Sequence, residues 1–434
     1  MMKSISVGLL GLGTVGCGVV TILHNHQDKL MHQVGCPIKV KRVLVQDLHK
    51  DRMVKVDSSL LTTNVDDVIE DPEIDVVIEV MGGVEETRQH VLSSLRNKKH
   101  VVTANKDLMA LYGPELLAVA SENGCDLFYE ASVAGGIPIL RGLVDGLASD
   151  RITKMMGIVN GTTNFILTKM SKYGSAYDDV LKEAQELGYA EADPTADVEG
   201  LDAARKMAIL ATLGYSMNID LQDVRVQGIS SVTSEDINYS KRLGYTLKLI
   251  GMAHREGEKV EVSVQPTLLP DSHPLAGVND EYNAVYVYGE AVGETMFYGP
   301  GAGSLPTATA IVSDLVGVMK NMRLGVNGRS AVSPQYDKKL KVNAEIYSKY
   351  FLRIHVKDQV GAFAKITSLF SERGVSFEKI LQLPLKDRDD LAEIVLVTHK
   401  ASLQDYEEIL VKLRDMQVIQ EVKSSYRVEG GGVA

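Results

Sequence analysis

A glycine-rich stretch near the start of the chain has the spacing of a phosphate-binding turn. The sequence GLGTVG follows an apolar run, Ile5–Leu10, and leads into a helical pattern from Val15. In such a G-x-G-x-x-G turn the first glycine permits the bend, the second lets the backbone approach a pyrophosphate, and the third lets helix and strand pack closely. The N–H groups at the helix N-terminus then face the phosphates. The sequence therefore predicts a dinucleotide site formed by Gly11, Leu12, Gly13, Thr14, Val15 and Gly16.

The residues after the second predicted strand bear on which dinucleotide binds. Asp47 follows the apolar run Val40–Val45, and Lys50 and Arg52 come shortly after it. An acidic residue here binds the ribose hydroxyls of NAD, whereas a basic residue meets the 2′-phosphate of NADP. Asp47 therefore favours NAD, Lys50 and Arg52 favour NADP, and any of the three can instead be a solvated loop charge.

Two lysines and an aspartate are placed where they could transfer a proton. Asp202 and Lys206 are four residues apart in a helical segment, so both point to one face, either as a surface ion pair or as part of a site. Lys106 is expected to end the parallel strand that begins at Val101, and ligands of open α/β sheets bind at strand ends. A lysine whose pKa is lowered towards neutral pH by partial burial and by a second ammonium group suits general acid–base catalysis.

Several stretches carry a more specific pattern. They are GLGTVG (11–16), TANK (103–106), EASVAGGIP (130–138), VNGTTN (159–164), GYAEADP (188–194) with DVEGLDAARK (197–206), and GPGAG (299–303). Together they closely resemble homoserine dehydrogenases, over roughly residues 3–325. The tail makes the chain similar to the bacterial form that ends in an ACT domain.

The resemblance implies an NAD(P)-dependent oxidoreductase that interconverts L-homoserine and L-aspartate 4-semialdehyde in threonine, methionine and isoleucine biosynthesis. It implies that Lys206 carries the alcohol proton, that Glu191 and Asp202 pair with the substrate ammonium, and that Asp197 supports them. The family habit tips the cofactor expectation slightly towards NADP. The site residues so assigned are Lys206, Lys106 and Asp202 for catalysis; Gly188, Glu191, Asp197 and Asp202 for substrate; and Lys50, Arg52, Thr103, Lys106 and Gly303, with the glycine turn, for cofactor.

The EASVAGGIP turn is a candidate cation site. In the family a monovalent cation such as Na⁺ is held by backbone carbonyls of this turn, and the resemblance carries the ligands over to Glu130, Val133, Gly135 and Ile137. Carbonyl oxygens suit a hard cation. The same Gly- and Pro-rich stretch can equally be a tight turn that binds nothing.

The order of the predicted elements gives an α/β protein of three domains. Strands alternate with helices over residues 1–135, which predicts a Rossmann-like nucleotide-binding domain with a parallel sheet and a return segment at 305–325. Residues 136–304 are expected to form an α+β substrate-binding, catalytic and dimerisation domain. A polar linker at 323–348 then leads to a ferredoxin-like ACT domain at 349–430, whose β-α-β-β-α-β rhythm is visible in the sequence.

The tail is expected to sense an amino acid. Residues 358–362, DQVGA, resemble the ligand loop of ACT domains, and threonine, the end product of the pathway, is the expected effector. Ser376 stands where threonine-sensing members usually have Asn, so a ligand-free dimerisation module is the alternative. The linker predicts that the tail can be removed without loss of catalysis.

Composition narrows the possible partners and compartment. The formal net charge of −11, with no Lys/Arg-rich block, argues against a nucleic-acid partner. The first apolar run is too short for a signal peptide core or a membrane span. Three cysteines without metal-type spacing fit a reducing compartment. We therefore expect a cytoplasmic homodimer or homotetramer that works on small molecules.

Two other interpretations of the sequence are possible. An aspartate-semialdehyde dehydrogenase needs a thiolate nucleophile with a histidine base. Cys125 is a poor thiolate because Asp126 follows it. A redox-sensing regulator with Rossmann and ACT domains would need no catalytic lysines and should carry a basic DNA-binding segment, which the sequence lacks.

Overall fold

The computed structural model describes residues 4–329, 334–385 and 388–430. The chain divides into unit 1, formed by Met1–Thr153, Arg205–Asp223 and Asn283–Lys338, and unit 2, formed by Lys154–Ala204, Val224–Tyr282 and Lys339–Ala434. Parts of three predicted segments lie outside the described residues: 1–3 of the nucleotide-binding domain, 330–333 of the linker and 386–387 of the ACT domain.

The elements are numbered in chain order. The helices are α1 (Thr14–Asn25), α2 (Gln27–Val34), α3 (Asp66–Ile69), α4 (Glu85–Arg96), α5 (Lys106–Glu122), α6 (Ile139–Arg141), α7 (Gly161–Tyr173), α8 (Tyr177–Glu186), α9 (Thr195–Val198), α10 (Leu201–Tyr215), α11 (Ser234–Arg242), α12 (Ser304–Leu324), α13 (Ala362–Ser371) and α14 (Leu403–Asp415). The strands are β1 (Ile5–Leu10), β2 (Ile38–Leu44), β3 (Leu61–Thr62), β4 (Val76–Glu79), β5 (His100–Thr103), β6 (Leu127–Phe128), β7 (Ile152–Ile158), β8 (Val224–Val226), β9 (Tyr245–Glu256), β10 (Lys259–Pro270), β11 (Tyr282–Gly289), β12 (Gly293–Pro300), β13 (Tyr347–Lys357), β14 (Phe377–Leu385), β15 (Arg388–Thr398), β16 (Ala401–Ser402) and β17 (Ile419–Val428).

Unit 1 contains a parallel sheet in the order β3-β2-β1-β4-β5-β6. The inner strands β4 and β5 are buried along their whole length, as expected for a sheet with helices on both faces. The strand order reverses between β1 and β4, and ligands of open α/β sheets bind at the carboxyl ends of strands at such a switch point. The predicted Rossmann-like sheet is confirmed.

The long helix α12 packs against α1 within unit 1. Its residues Ala308 and Ile311 share one buried apolar cluster with Val19 of α1. Gly18 allows the two helices to approach closely, because a Cβ there would lie 2.5 Å from the Ser304 carbonyl oxygen. The start of α12 is thereby held beside the start of α1.

The helix α5 begins earlier than the sequence pattern indicates. Pro114 predicts a helix over 114–122, because proline favours a first turn, yet α5 runs from Lys106 and contains Pro114 in its interior. Asn105 sets the true start, since its side chain accepts the Leu108 backbone N–H at 3.0 Å. Lys106 is therefore the first helical residue and does not end a strand.

Unit 2 contains a mixed sheet in which the tail strands continue the sheet of the preceding segment. The order is β7-β9-β10-β17-β13-β15-β14. The last strand, β17, pairs in parallel with β10 at Thr267–Arg427 and Leu268–Val428. Beyond it, β13, β15 and β14 are antiparallel neighbours, and with α13 and α14 they form the expected ferredoxin-like arrangement.

A buried polar cluster ties α11 to the tail sheet, and we call it the Asp236 cluster. Asp236, in the first turn of α11, is fully buried and accepts hydrogen bonds from Arg353 Nε at 2.7 Å, from Tyr426 at 2.9 Å and from Ser424. The Arg353 guanidinium also donates to Glu393 at 2.9 Å. The remaining member is Thr233, the N-cap of α11. Since Arg353 is only 3% exposed, the cluster is an ion-pair network removed from water.

Candidate active site

Each glycine of the turn between β1 and α1 has a different structural role. Gly11 has a φ of +104°, and a Cβ there would lie 2.8 Å from the Val80 carbonyl oxygen. A Cβ on Gly16 would lie 2.4 Å from the Gly11 carbonyl oxygen. Gly13, the N-cap of α1, has no atom of the described residues within 4 Å of an added Cβ. The turn therefore leaves space for an anion in front of the α1 N-terminus.

A cavity of about 610 Å³ opens at this turn. Gly11 and Gly13 line it together with Asp47, Lys50 and Arg52. The Asp47 carboxylate accepts a backbone N–H of its own loop at 2.8 Å, and the Arg52 guanidinium donates to the carbonyls of Lys50, at 2.8 Å, and Asp47. The residues of opposite cofactor preference thus share one folded loop at the same cavity as the glycine turn.

Gly303 lies next to the glycine turn. It is the N-cap of α12, with a φ of +119°, and the following Ser304 hydroxyl donates to the Thr14 carbonyl at 2.7 Å. This contact brings a second helix N-terminus to the phosphate-binding turn.

The two lysines lie on helices that an ion pair joins within unit 1. Lys106 and Lys206 are both half-buried. Asp107, directly after Lys106, pairs with Arg205, directly before Lys206, with 2.7 Å between Oδ1 and Nε. The first turn of α5 is therefore fixed to the first half of α10, and each lysine is one residue from that contact.

In unit 2, one amide group bridges two of the predicted substrate-binding carboxylates. Asn160 Nδ2 donates to Asp197 at 2.7 Å and to Asp202 at 2.9 Å. The Asn160 side-chain oxygen accepts the Thr163 backbone N–H at 2.8 Å and so caps α7. Asp202 is 3% exposed, one helical turn from Lys206 on α10. Asn160 was not among the predicted site residues, and only its capping of α7 could have been expected from the VNGTTN stretch.

The loop after α8 carries Gly188 and Glu191, and both are exposed. Gly188 has a φ of +76°, which permits the turn that ends the helix. The loop is fastened at both sides: Gln185 Nε2 donates to the Glu191 carbonyl at 3.0 Å, and the Thr162 hydroxyl donates to the Tyr189 carbonyl at 2.6 Å. The Glu191 carboxylate therefore lies on an anchored loop close in sequence to Asp197.

The turn predicted to hold a cation is buried and tightly packed. Its four predicted ligand residues, Glu130, Val133, Gly135 and Ile137, are all buried. Gly135 has a φ of +55°, and a Cβ there would lie 2.3 Å from the Gly301 carbonyl oxygen. The Glu130 carbonyl accepts the Val133 N–H at 3.3 Å, and the Ile137 carbonyl accepts the Ile139 N–H at 2.8 Å. Each of these oxygens keeps a second lone pair.

The Glu130 side chain supports this turn without forming part of its carbonyl set. Its two oxygens accept the backbone N–H groups of Leu140 and Arg141, each at 2.8 Å. The Glu130 backbone N–H donates to the carboxylate of Asp314, and this carboxylate pairs with the Arg141 guanidinium at 2.9 Å. Burial raises the pKa of Glu130 to about 7 and that of Asp314 to about 6.

A buried lysine was also missed. Lys248, 2% exposed on β9, donates to Asn164 Oδ1 at 3.0 Å and to the Val278 carbonyl at 2.6 Å. Burial lowers its pKa to about 8. Asn164 belongs to the VNGTTN stretch, so Lys248 holds the body of α7 while Asn160 holds its start. A lone lysine in an apolar strand pattern was the available signal.

Within residues 4–329, 334–385 and 388–430, His, Cys, Asp and Glu form no group of three or more that could hold a metal ion. In the same part of the chain, every helix is too short or too polar to cross a membrane.

The glycine turn and the cavity at the switch point define a dinucleotide-binding protein of the Rossmann type, with a ferredoxin-like domain at its C-terminal end. Comparison with known families makes this specific. The family model "Homoserine dehydrogenase" matches residues 138–316, "Homoserine dehydrogenase, NAD binding domain" matches 11–130, and "ACT domain" matches 350–416. The chain belongs to the homoserine dehydrogenase family.

Relatives and solved structures agree over the whole chain. Identity to the homoserine dehydrogenase of Bacillus subtilis (strain 168) is 72% over 431 residues, covering 99% of this chain and all of the relative. The Corynebacterium glutamicum enzyme is 43% identical, covering 98% of this chain and 96% of the relative. The crystal structure of the Thiobacillus denitrificans homoserine dehydrogenase, 40% identical, superposes with a TM-score of 0.92 over 98% of both chains.

The protein is thus an oxidoreductase that interconverts L-homoserine and L-aspartate 4-semialdehyde by hydride transfer, and the expectation from the sequence stretches is confirmed. The thiol-based alternative fails at Cys125, which is buried and whose pKa burial raises to about 11. The non-catalytic regulator is excluded by the same family assignment.

Proposed function

We propose that Lys206 accepts the hydroxyl proton of L-homoserine and that Lys106 assists at the same oxygen. Oxidation breaks the O–H and C–H bonds of the terminal carbon, the proton passing to the lysine and the hydride to the oxidised nicotinamide when it is bound. In the reverse direction the protonated lysine returns the proton. The observation that carries the proposal is the Asp107–Arg205 ion pair, because it joins the neighbours of both lysines. Turnover of a Lys206→Ala variant tests it.

Substrate recognition is assigned to the acidic residues of unit 2. Glu191 and Asp202 bind the substrate ammonium, Asp197 supports Asp202 through the shared Asn160 amide, and Gly188 shapes the loop. Two carboxylates on one amide repel each other, and a cation relieves that repulsion. An amino acid is therefore preferred over a plain alcohol.

For the cofactor we propose a preference for NADP over NAD. The support is that two cations, Lys50 and Arg52, line the same cavity as the glycine turn, on the loop that carries Asp47. A 2′-phosphate would meet both cations. Thr103 and Gly303 complete the proposed cofactor set, at the end of β5 and the start of α12.

A Lys50→Ala/Arg52→Ala variant is expected to lose about 10²–10⁴-fold in kcat/KM with NADP, because it removes two charged hydrogen bonds that contribute about 1.5–3 kcal/mol each. Activity with NAD should stay close to wild type. Lys55→Ala is the matched control, since Lys55 is exposed in the same loop. A wild-type preference for NAD, or unchanged use of NADP by the double variant, would contradict the assignment.

The proposed cation site uses the carbonyls of Glu130, Val133, Gly135 and Ile137. The chemistry of the donor set fits a monovalent hard cation such as Na⁺, since all four donors are backbone oxygens on a buried turn. The cation would act structurally, by neutralising carbonyl dipoles at the point where the turn packs on Gly301.

We propose that threonine regulates the enzyme by binding to the ACT domain at residues 358–362, which resemble the ligand loop of such domains. Residues 358–361 are exposed, and Val360 is an apolar side chain left completely in solvent. Gly361, with a φ of +85°, caps α13 and offers its N-terminal N–H groups. An amino acid with a small side chain, such as threonine, would suit this loop, because its carboxylate could accept the N–H groups at the start of α13.

Calorimetry on the intact protein is expected to show heat on adding threonine, together with about 5- to 150-fold weaker apparent affinity for homoserine, the usual size of such couplings. Asp358→Ala should abolish both effects, while Asp415→Ala, an exposed aspartate at the end of α14, should change neither. If threonine, isoleucine and methionine all leave the intact protein unaffected, the tail is an assembly module.

We further propose a homodimer or homotetramer that works in the cytoplasm on small molecules. Cys17, Cys36 and Cys125 are free and buried, which suits a reducing compartment. Sedimentation of the full chain tests the assembly.

A further inference from the structure

A buried carboxylate at the ends of β4 and β5 has no part in the mechanism above. Glu79 is the last residue of β4 and is fully buried. In the sheet register it lies opposite Thr103, the last residue of β5. A carboxyl group at the end of a buried apolar strand is costly to bury unless hydrogen bonds hold it, and burial raises the pKa of Glu79.

Glu79 is hydrogen-bonded to the loops that follow both strands. Its Oε1 accepts the backbone N–H of Met81 at 2.9 Å and of Gly82 at 3.2 Å. Its Oε2 accepts the Thr103 hydroxyl, and the same hydroxyl oxygen accepts the Asn105 backbone N–H at 3.0 Å. One side chain therefore fixes the turn after β4 and, through Thr103, the turn after β5.

The two turns are also joined to each other and to α5. Asn105 Nδ2 donates to the Gly83 carbonyl at 2.7 Å, while its Oδ1 caps α5. Gly82 and Gly83 have φ values of +75° and +73°, so this turn follows a path that few residues other than glycine adopt. Lys106 directly follows Asn105 as the first residue of α5.

The position in the sheet indicates which half of the cofactor these turns serve. A dinucleotide lies across the switch point, with its two halves on opposite sides of it. Lys50 and Arg52 follow β2 and therefore belong to the adenosine half. The ends of β4 and β5 lie on the other side of β1, where the nicotinamide half would be held.

We propose that Glu79 is the positioning residue for the nicotinamide side of the site: it fixes the turn after β4 and, through Thr103 and Asn105, the placement of Lys106. The inference rests on the proposed role of Lys106. Glu79 touches neither substrate nor cofactor in this account, and it acts by keeping two loops in one geometry. A displacement of about 1 Å in such a constellation can lower turnover by about 100-fold.

The test compares Glu79→Gln and Thr103→Val by steady-state kinetics and by affinity for 2′-phospho-ADP-ribose, a cofactor fragment without nicotinamide. We expect kcat to fall about 10- to 100-fold in both variants, as for a misplaced catalytic group, with fragment affinity within about twofold of wild type. Thr103→Ser keeps the hydroxyl and should restore most of the turnover.

Asp126→Asn is the matched control. Asp126 is 2% exposed and accepts Asn321 and Asn327 amides at 2.8 and 2.7 Å, but it precedes β6, away from the carboxyl ends of the strands. The Asp126→Asn variant should be less stable than wild type, and its kcat should be unchanged. The inference is overturned if Glu79→Gln keeps the wild-type kcat. It is also overturned if this variant loses affinity for 2′-phospho-ADP-ribose and for the whole cofactor to the same extent.

A Lys106→Ala variant separates this inference from the proposed mechanism. If Glu79 acts through Lys106, the double variant with Glu79→Gln should be no slower than Lys106→Ala alone. Additive losses overturn that route. Unchanged turnover in Lys106→Ala overturns the role of Lys106 itself, and with it the inference that depends on it.

Discussion

Replacing Lys206 by alanine is expected to lower kcat by about 10²–10⁴-fold, the usual loss for a general acid–base group. Affinity for the cofactor should barely change, because Lys206 lies on α10 and the glycine turn lies between β1 and α1. Steady-state kinetics measures the effect, with homoserine as substrate for oxidation and aspartate 4-semialdehyde as substrate for reduction. A small primary amine added to the assay should restore part of the turnover, since it can occupy the space of the lost side chain and carry the proton.

Two comparisons make this result specific. Lys320→Ala removes an exposed lysine of α12 in the same unit and should behave as wild type. Arg205→Ala removes the ion pair with Asp107 but keeps Lys206, so it should lower kcat by less than Lys206→Ala does. Near-normal turnover in Lys206→Ala would remove this lysine from the mechanism.

Arg353→Ala is expected to lower the free energy of unfolding by about 3–5 kcal/mol, because removing one partner of a buried ion pair leaves the other charges uncompensated. Asp236 and Glu393 would both remain buried without their guanidinium. Urea unfolding followed by circular dichroism measures the change.

A second arginine of the same sheet gives the control. Arg388 pairs with Asp390 through two hydrogen bonds at 2.8 and 2.9 Å, but its side chain is 58% exposed. Since exposed pairs contribute about 0–1 kcal/mol, Arg388→Ala should be nearly neutral. Equal effects of the two substitutions would show that the Asp236 cluster does not hold α11 to the tail.

The shape of the glycine turn could be predicted from the sequence, because it depends on glycines at fixed spacing. Gly11, Gly13 and Gly16 each have the space or close approach that the motif requires. The residues that support the site could not be found in this way. Glu79 lies in an apolar strand, and only the register that places it opposite Thr103 gives it a role.

Sequence signals for the start of a helix gave a wrong boundary where two of them competed. Pro114 favours a helix start, but the Asn105 cap begins α5 eight residues earlier. Asn160 shows the same difficulty, since its bonds to Asp197 and Asp202 join residues about 40 positions apart. Periodicity describes neighbours along the chain, and these contacts depend on the tertiary fold.

The attachment of the tail was the least predictable feature. The polar composition of residues 323–348 indicates a flexible tether, and the truncation expected to be harmless follows from it. In the structure, Lys339 and Lys341 of this segment pair with Glu258 and Glu256, and β17 adds to β10. Removing residues 349–434 would take away the partner of β10 at Thr267 and Leu268 and leave Asp236 without Arg353, so point variants are the better test of regulation.

The pairing of β17 with β10 also sets an order of events during synthesis on the ribosome. About 160 residues separate Leu268 from Val428, so at about 5–20 residues per second this part of the β10 edge waits on the order of ten seconds for its partner. An uncovered edge strand can meanwhile pair with another nascent chain. The yield of folded protein should therefore depend on translation speed and on chaperones that shield β10 until the last strand emerges.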